Sequence, residues 1–134
     1  MKVGTFLSIT GALGVLFGLG FLLAPEASLA SYGVPVAPHN VMQARYFGTT
    51  LFAFGLVVWL LRNVVDPSAL RGVLLANVVG NGLGAALSAW SALAGLQNAL
   101  AWSSVVIYGA IALGALLYWR GAQSTAGSAG AVVH

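Results

Sequence analysis

The sequence predicts an all-α membrane protein, a four-helix transmembrane bundle with both termini on the cytoplasmic side. Composition gives the class, because 60% of the 134 residues are hydrophobic and only 5% are charged, whereas soluble domains carry about 25% charged residues. Four apolar runs, about 5–24, 41–61, 71–93 and 99–119, each have close to the roughly 20 residues needed to cross a hydrocarbon core ~30 Å thick. Runs of that length in lipid are helices, since each segment must pair its own backbone groups. The cations give the orientation: Lys2, Arg62, Arg71 and Arg120 flank the runs on one side, and by the positive-inside rule that side is cytoplasmic, which predicts a multi-pass inner-membrane protein.

The first span carries Gly4, Gly11, Gly14 and Gly18 at intervals of seven, three and four residues, so they share one face, and Gly14 and Gly18 form a GxxxG pair. Lys2 before this run and Ser28-Leu29-Ala30 after it also resemble the ends of a secretory signal peptide. The run exceeds the usual apolar core of such signals, about 7–15 residues, so a retained helix is the preferred reading. The segment 25–40, with Pro25, Pro35 and Pro38, reads as an outer loop whose ionisable groups are Glu26 and His39.

The second span contains one charge, Arg45, about one turn inside its outer end. A cation there needs a partner or water. Pairing with Glu26 at the same boundary ranks first, snorkelling to the headgroups second, and holding an anionic group with Gln43, Tyr46 and His39 third. Asp66-Pro67 punctuates the connection to the third span. There Asn77, Asn81, Gly84, Ser88 and Ser91 step by four, three, four and three and form one helical stripe, and Gly80 and Gly84 repeat the GxxxG spacing. Amides facing lipid would be left unpaired, so this stripe turns inward. Counting ~1.5 Å per residue places Asn81 near the membrane midplane, level with Thr49, Thr50 and Tyr108. Such a cluster reads first as interhelical hydrogen bonding, worth on the order of 0.6 kcal/mol per bond, and second as a ligand or ion site. Gly95 with Gln97-Asn98 turns the chain into the fourth span, and residues 121–134, small and polar, read as a flexible tail. The glycine faces at Gly11, Gly14, Gly18, Gly80 and Gly84 read as helix packing within one chain before they read as a dimer seam.

Several function classes are disfavoured. The cations are too dispersed for a nucleic-acid surface, and without cysteine there is no thiol nucleophile, disulfide or thiolate-held metal. Neither histidine has an i, i+4 partner for a metal, no nucleophile-elbow, zinc-protease or P-loop spacing occurs, and Glu26 and Asp66 are expected on opposite sides of the membrane. No catalytic residue, cofactor or metal is therefore expected, and no span carries the acid that a proton pump would use.

The end of the first span, Leu23-Ala24-Pro25-Glu26 with Tyr32 following, resembles the small four-helix bacterial membrane proteins grouped as DoxX-like. So do Ala44-Arg45-Tyr46-Phe47-Gly48, the asparagine-bearing third span after Arg71, and Trp102. The resemblance covers about residues 3–119, and its most specific element is Ala44, Arg45 and Gly48. It implies a compact bundle with both termini inside and a link to membrane redox complexes, in which this cysteine-free chain would be accessory. The expected role is a non-enzymatic accessory or scaffolding subunit in the lipid bilayer, self-associating or set in a larger complex. The alternative is a small-molecule or lipid carrier or pore with its site at Asn77, Asn81 and Tyr108. A hydrated cavity joining these residues favours the carrier and a dry seam the subunit. An enzyme acting on a lipid-soluble substrate ranks third.

Overall fold

The computed structural model describes residues 1–130, with side chains described for 1–122. Helices α1 (Val3–Leu23), α3 (Pro38–Leu60, extended by a 3₁₀ turn, Leu61–Asn63), α4 (Pro67–Leu93) and α5 (Ala101–Gly130) are each long and apolar enough to cross a membrane. Their bounds fall within a few residues of those expected from hydropathy, except at the C-terminal end of α5. The short helix α2 (Pro25–Ser31) was not expected and lies inside the predicted loop. Three of the four prolines sit at the first turn of a helix, Pro25 in α2, Pro38 in α3 and Pro67 in α4. A missing N–H costs nothing there and the fixed φ favours the helix. Asp66 completes the start of α4, its carboxylate accepting from Ala69 N at 2.6 Å.

Two helix ends are closed alike. After α2, Gly33 has φ +72° and Val34 N donates to Leu29 O while Gly33 N donates to Ala30 O; after α4, Gly95 has φ +68° and Leu96 N donates to Ser91 O while Gly95 N donates to Ala92 O. Both are Schellman closures, which need the left-handed conformation that glycine supplies. At the other end of the chain the helix does not stop near Trp119. It continues to Gly130, with no proline after Pro67 to interrupt it; residues 131–134 lie outside the described residues.

The helices form two antiparallel pairs, α1 with α3 and α4 with α5, with little contact between α3 and α4. The α1/α3 pair meets backbone to backbone. A Cβ on Gly11 would lie 2.7 Å from Trp59 N, one on Gly14 2.8 Å from Gly55 Cα, one on Gly48 2.5 Å from Leu22 N, and one on Gly18 would run into the Phe52 backbone. The expected face of Gly11, Gly14 and Gly18 therefore packs within the chain, on a facing pair, Gly48 and Gly55, that the sequence analysis did not assign to it. Gly84 also packs, its face covered by the Tyr108 ring at 3.2 Å. Gly80 does not. It is exposed with nothing within 4 Å of a would-be Cβ, because it lies roughly 80–100° round the helix from Asn81 and Ser88 at 3.6 residues per turn.

The two pairs join at the end holding the N-terminus and the 3₁₀ turn. Phe6, Leu7, Val58, Leu74 and Ala115 form a buried core there, with Phe6 seated on Gly114 and 5.2 Å from the Tyr118 ring. Tyr118 donates to Met1 O at 2.5 Å. Arg62 caps the same end, donating to Trp59 O at 2.8 Å with its guanidinium 4.8 Å from the Trp59 ring.

Candidate functional site

At the opposite end, nearer α2 and the α4–α5 turn, the two pairs stand apart around a cavity of about 510 Å³. Side chains spaced three and four residues apart on each helix build its walls. Helix α1 contributes Thr10, Leu13, Phe17 and Phe21, α3 contributes Gln43, Phe47 and Leu51, α4 contributes Asn81, Ser88 and Ser91, and α5 contributes Ser104, Ile107, Tyr108 and Ile111. The α1 wall is mainly apolar and aromatic; α4 carries the Asn81 amide and two serine hydroxyls, and further polar side chains come from Gln43 and Asn40 of α3, from Gln97, and from Ser104 and Tyr108 of α5. Phe47 and Leu87, both about half-exposed, line the cavity on α3 and α4, two helices with little mutual contact.

The second helix and its turn hold this end open. Asn98 N donates to Tyr32 O at 2.9 Å and Asn98 Nδ2 to Ser31 O at 2.8 Å, while Asn98 Oδ1 accepts from Leu100 N at 3.0 Å. The Tyr32 and Ser104 hydroxyls lie 3.1 Å apart in a hydrogen bond. These contacts clasp α2 to the start of α5 and leave the space beneath unfilled.

The asparagine stripe faces inward, as expected, but its hydrogen bonds stay on its own helix. Asn77 is fully buried and donates from Nδ2 to Val73 O at 2.9 Å; Asn81, 8% exposed, donates from Nδ2 to Asn77 O at 3.0 Å and to Asn77 Oδ1 at 3.3 Å. Neither amide bonds another helix among the described residues, so the stripe is not interhelical glue. Asn81 lines the cavity floor and Asn77 lies one turn beneath it, outside the lining. Thr10, 7% exposed, and Tyr108 also line the cavity, and neither hydroxyl has a hydrogen-bond partner among the described residues.

Four expected participants lie elsewhere. Thr50 is exposed and satisfies its hydroxyl on Tyr46 O at 3.0 Å, and Thr49 does the same on Arg45 O at 2.9 Å, the usual resort of a threonine on a lipid-facing surface. Arg45 and Glu26 are both exposed, and among the described residues they form no ion pair. The Glu26 pairing ranked first in the sequence analysis is therefore absent. Arg45 is exposed, next to buried Ala44. Sequence reasoning missed Thr10, Phe21, Tyr32 and Ser104. The interval Thr10, Gly14, Phe17, Phe21 repeats the helical spacing that singled out the asparagines, and Ser104 stands four residues before Tyr108.

A four-span membrane bundle with an internal cavity is thus the class of protein defined here. No protein-family model, no curated protein and no solved structure matches the chain. The DoxX-like resemblance accordingly gains no support, and the cavity carries the functional reading.

Proposed function

We propose that this protein is a non-enzymatic membrane module that binds a small lipid-soluble molecule in the cavity between its two helix pairs. The observation that carries the reading is the cavity itself. Its volume of about 510 Å³ lies within the roughly 300–1,000 Å³ of small-molecule sites, and its mainly apolar lining with a few convergent polar groups is the composition of such sites. A scaffolding subunit needs its faces filled, and the Asn81/Tyr108 region is hollow. The lining contains hydroxyl, amide and apolar side chains, while Glu26 and Asp66 stand outside it, which favours binding over acid–base catalysis. Lys2, Arg62, Arg71 and Arg120 belong to the end opposite the cavity; by the positive-inside rule that end is cytoplasmic and the cavity lies in the outer half of the bilayer.

The test is the intact mass of the protein released from nanodiscs made directly from its native membrane. A retained neutral small molecule, lost when Ser88→Phe fills the cavity, is the expected result. A defined homo-oligomer or a companion polypeptide with no small molecule retained would overturn the proposal in favour of the scaffolding subunit.

A further inference from the structure

We propose that the cavity selects an uncharged amphiphile bearing a hydrogen-bond donor, such as an alcohol, and that Asn81 Oδ1 is the group that reads the donor. This rests on the cavity-binding reading above and specifies its ligand.

The geometry of the floor fixes the polarity of the Asn81 amide. Its Nδ2 is committed to Asn77 O at 3.0 Å and Asn77 Oδ1 at 3.3 Å. Turning the amide over would set its oxygen against two acceptors, so the orientation follows from the network. Asn77 is held in turn by its own Nδ2, which donates to Val73 O at 2.9 Å. Asn77 is thus a positioning residue for Asn81. With Nδ2 spent, Oδ1 is left as an acceptor, and it has no partner among the described residues. Among the described residues, every buried side-chain nitrogen or oxygen closed off from solvent has a partner, so this unpaired oxygen faces open space.

Asn81 is 92% buried by the complement of its 8% exposure, so a ligand that fills the cavity without donating to it strands a desolvated acceptor, which is costly. The hydroxyls of Thr10 and Tyr108 also line the cavity and can both donate and accept. Either can serve the oxygen of an alcohol whose proton goes to Asn81. Among the described residues no Asp, Glu, Lys, Arg or His lines the cavity, so a charged headgroup would enter uncompensated in a low-dielectric site. The floor therefore takes a neutral donor, and the Leu13, Phe17, Phe47 and Leu51 wall takes the apolar body.

The experiment equilibrates the full-length protein in phosphatidylcholine nanodiscs with dodecanol and dodecyl methyl ether at equal mole fraction in the bilayer. The amount of each bound is read by native mass spectrometry. The two probes share a chain and differ in the donor. Wild type is expected to hold the alcohol about tenfold more strongly than the ether, the ratio that follows from leaving one buried acceptor unpaired. Asn81→Leu is expected to bring the two to parity while the ether is still bound. Equal binding of both probes by wild type, or preference for the ether, overturns the donor selectivity and leaves the binding cavity standing. Binding of neither overturns both. The wild-type comparison decides the matter even if the Asn81 variant fails to fold.

Discussion

The same four helices solve opposite problems at their two ends. Near the N-terminus, large and small residues meet across the seam, with Phe6 on Gly114 and Leu7, Val58 and Leu74 packed with Ala115 in a buried core. Near α2 the glycines still draw α1 onto α3, but α4 and α5 are held off by Tyr32, Asn98 and Ser104, and the space is lined rather than filled. In water the hydrophobic effect would drive such a gap shut. Between helices in lipid that force is absent, and association depends on close packing and hydrogen bonds. A membrane bundle can therefore be tight at one end and hollow at the other, with a few spacer contacts deciding which.

The sharpest way to break this contrast is to attack the glycine seam, since it holds α1 and α3 together at both ends. Gly18→Leu places a side chain inside the Phe52 backbone and is expected to cost about 3 kcal/mol, the upper range for overpacking. Gly80→Leu, on an open face, should stay within about 0.5 kcal/mol. Detergent thermal unfolding of the two variants measures the difference. Truncation separates the ends next. Leu7→Ala in the closed core is expected to cost about 2 kcal/mol, and Leu51→Ala on the cavity wall under half of that, because Leu51 already lacks contact atoms on one side.

A smaller effect is expected from Asn98→Ala, which removes the side-chain contacts to Ser31 O and Leu100 N. A loss of about 1 kcal/mol, with faster amide exchange confined to residues 32–40 and 98–103, would show that the clasp acts locally. The smallest effects belong to Arg45→Ala and Glu26→Ala. With no ion pair between them, each is expected to change stability by no more than about 0.5 kcal/mol, and the double mutant by the sum of the two. A double mutant less destabilised than that sum would restore the pairing.

Much of the bundle was legible in the sequence because span length and glycine spacing are one-dimensional signals. Gly11, Gly14 and Gly18 could be assigned to one face without knowing what they met, and the inward turn of Asn77 and Asn81 followed from the cost of an amide in lipid. What covers a face is not periodic, and there the sequence fell short. Gly80 shares its motif with Gly84 but not its neighbour. Thr50 matches Asn81 in depth but not in direction around the helix, and Arg45 and Glu26 share a boundary without sharing a contact. The cavity was least legible, because it exists through α2 and Asn98, residues whose local signals describe only turns. Hydrogen bonding within α4, from Asn77 to Val73 and from Asn81 to Asn77, likewise replaced the expected bonds between helices.

The most direct measurement uses the absence of native cysteine. Single variants Ser88→Cys, on the cavity wall, and Ala115→Cys, in the closed core, are placed in nanodiscs and treated with a small water-soluble methanethiosulfonate, which reacts only with a thiol that water reaches. The expected result is rapid modification of Ser88→Cys, slowed by dodecanol, and none of Ala115→Cys in the folded protein. Equal resistance of both positions would mean that the end near α2 is as dry as the other, and would contradict the hollow bundle described here.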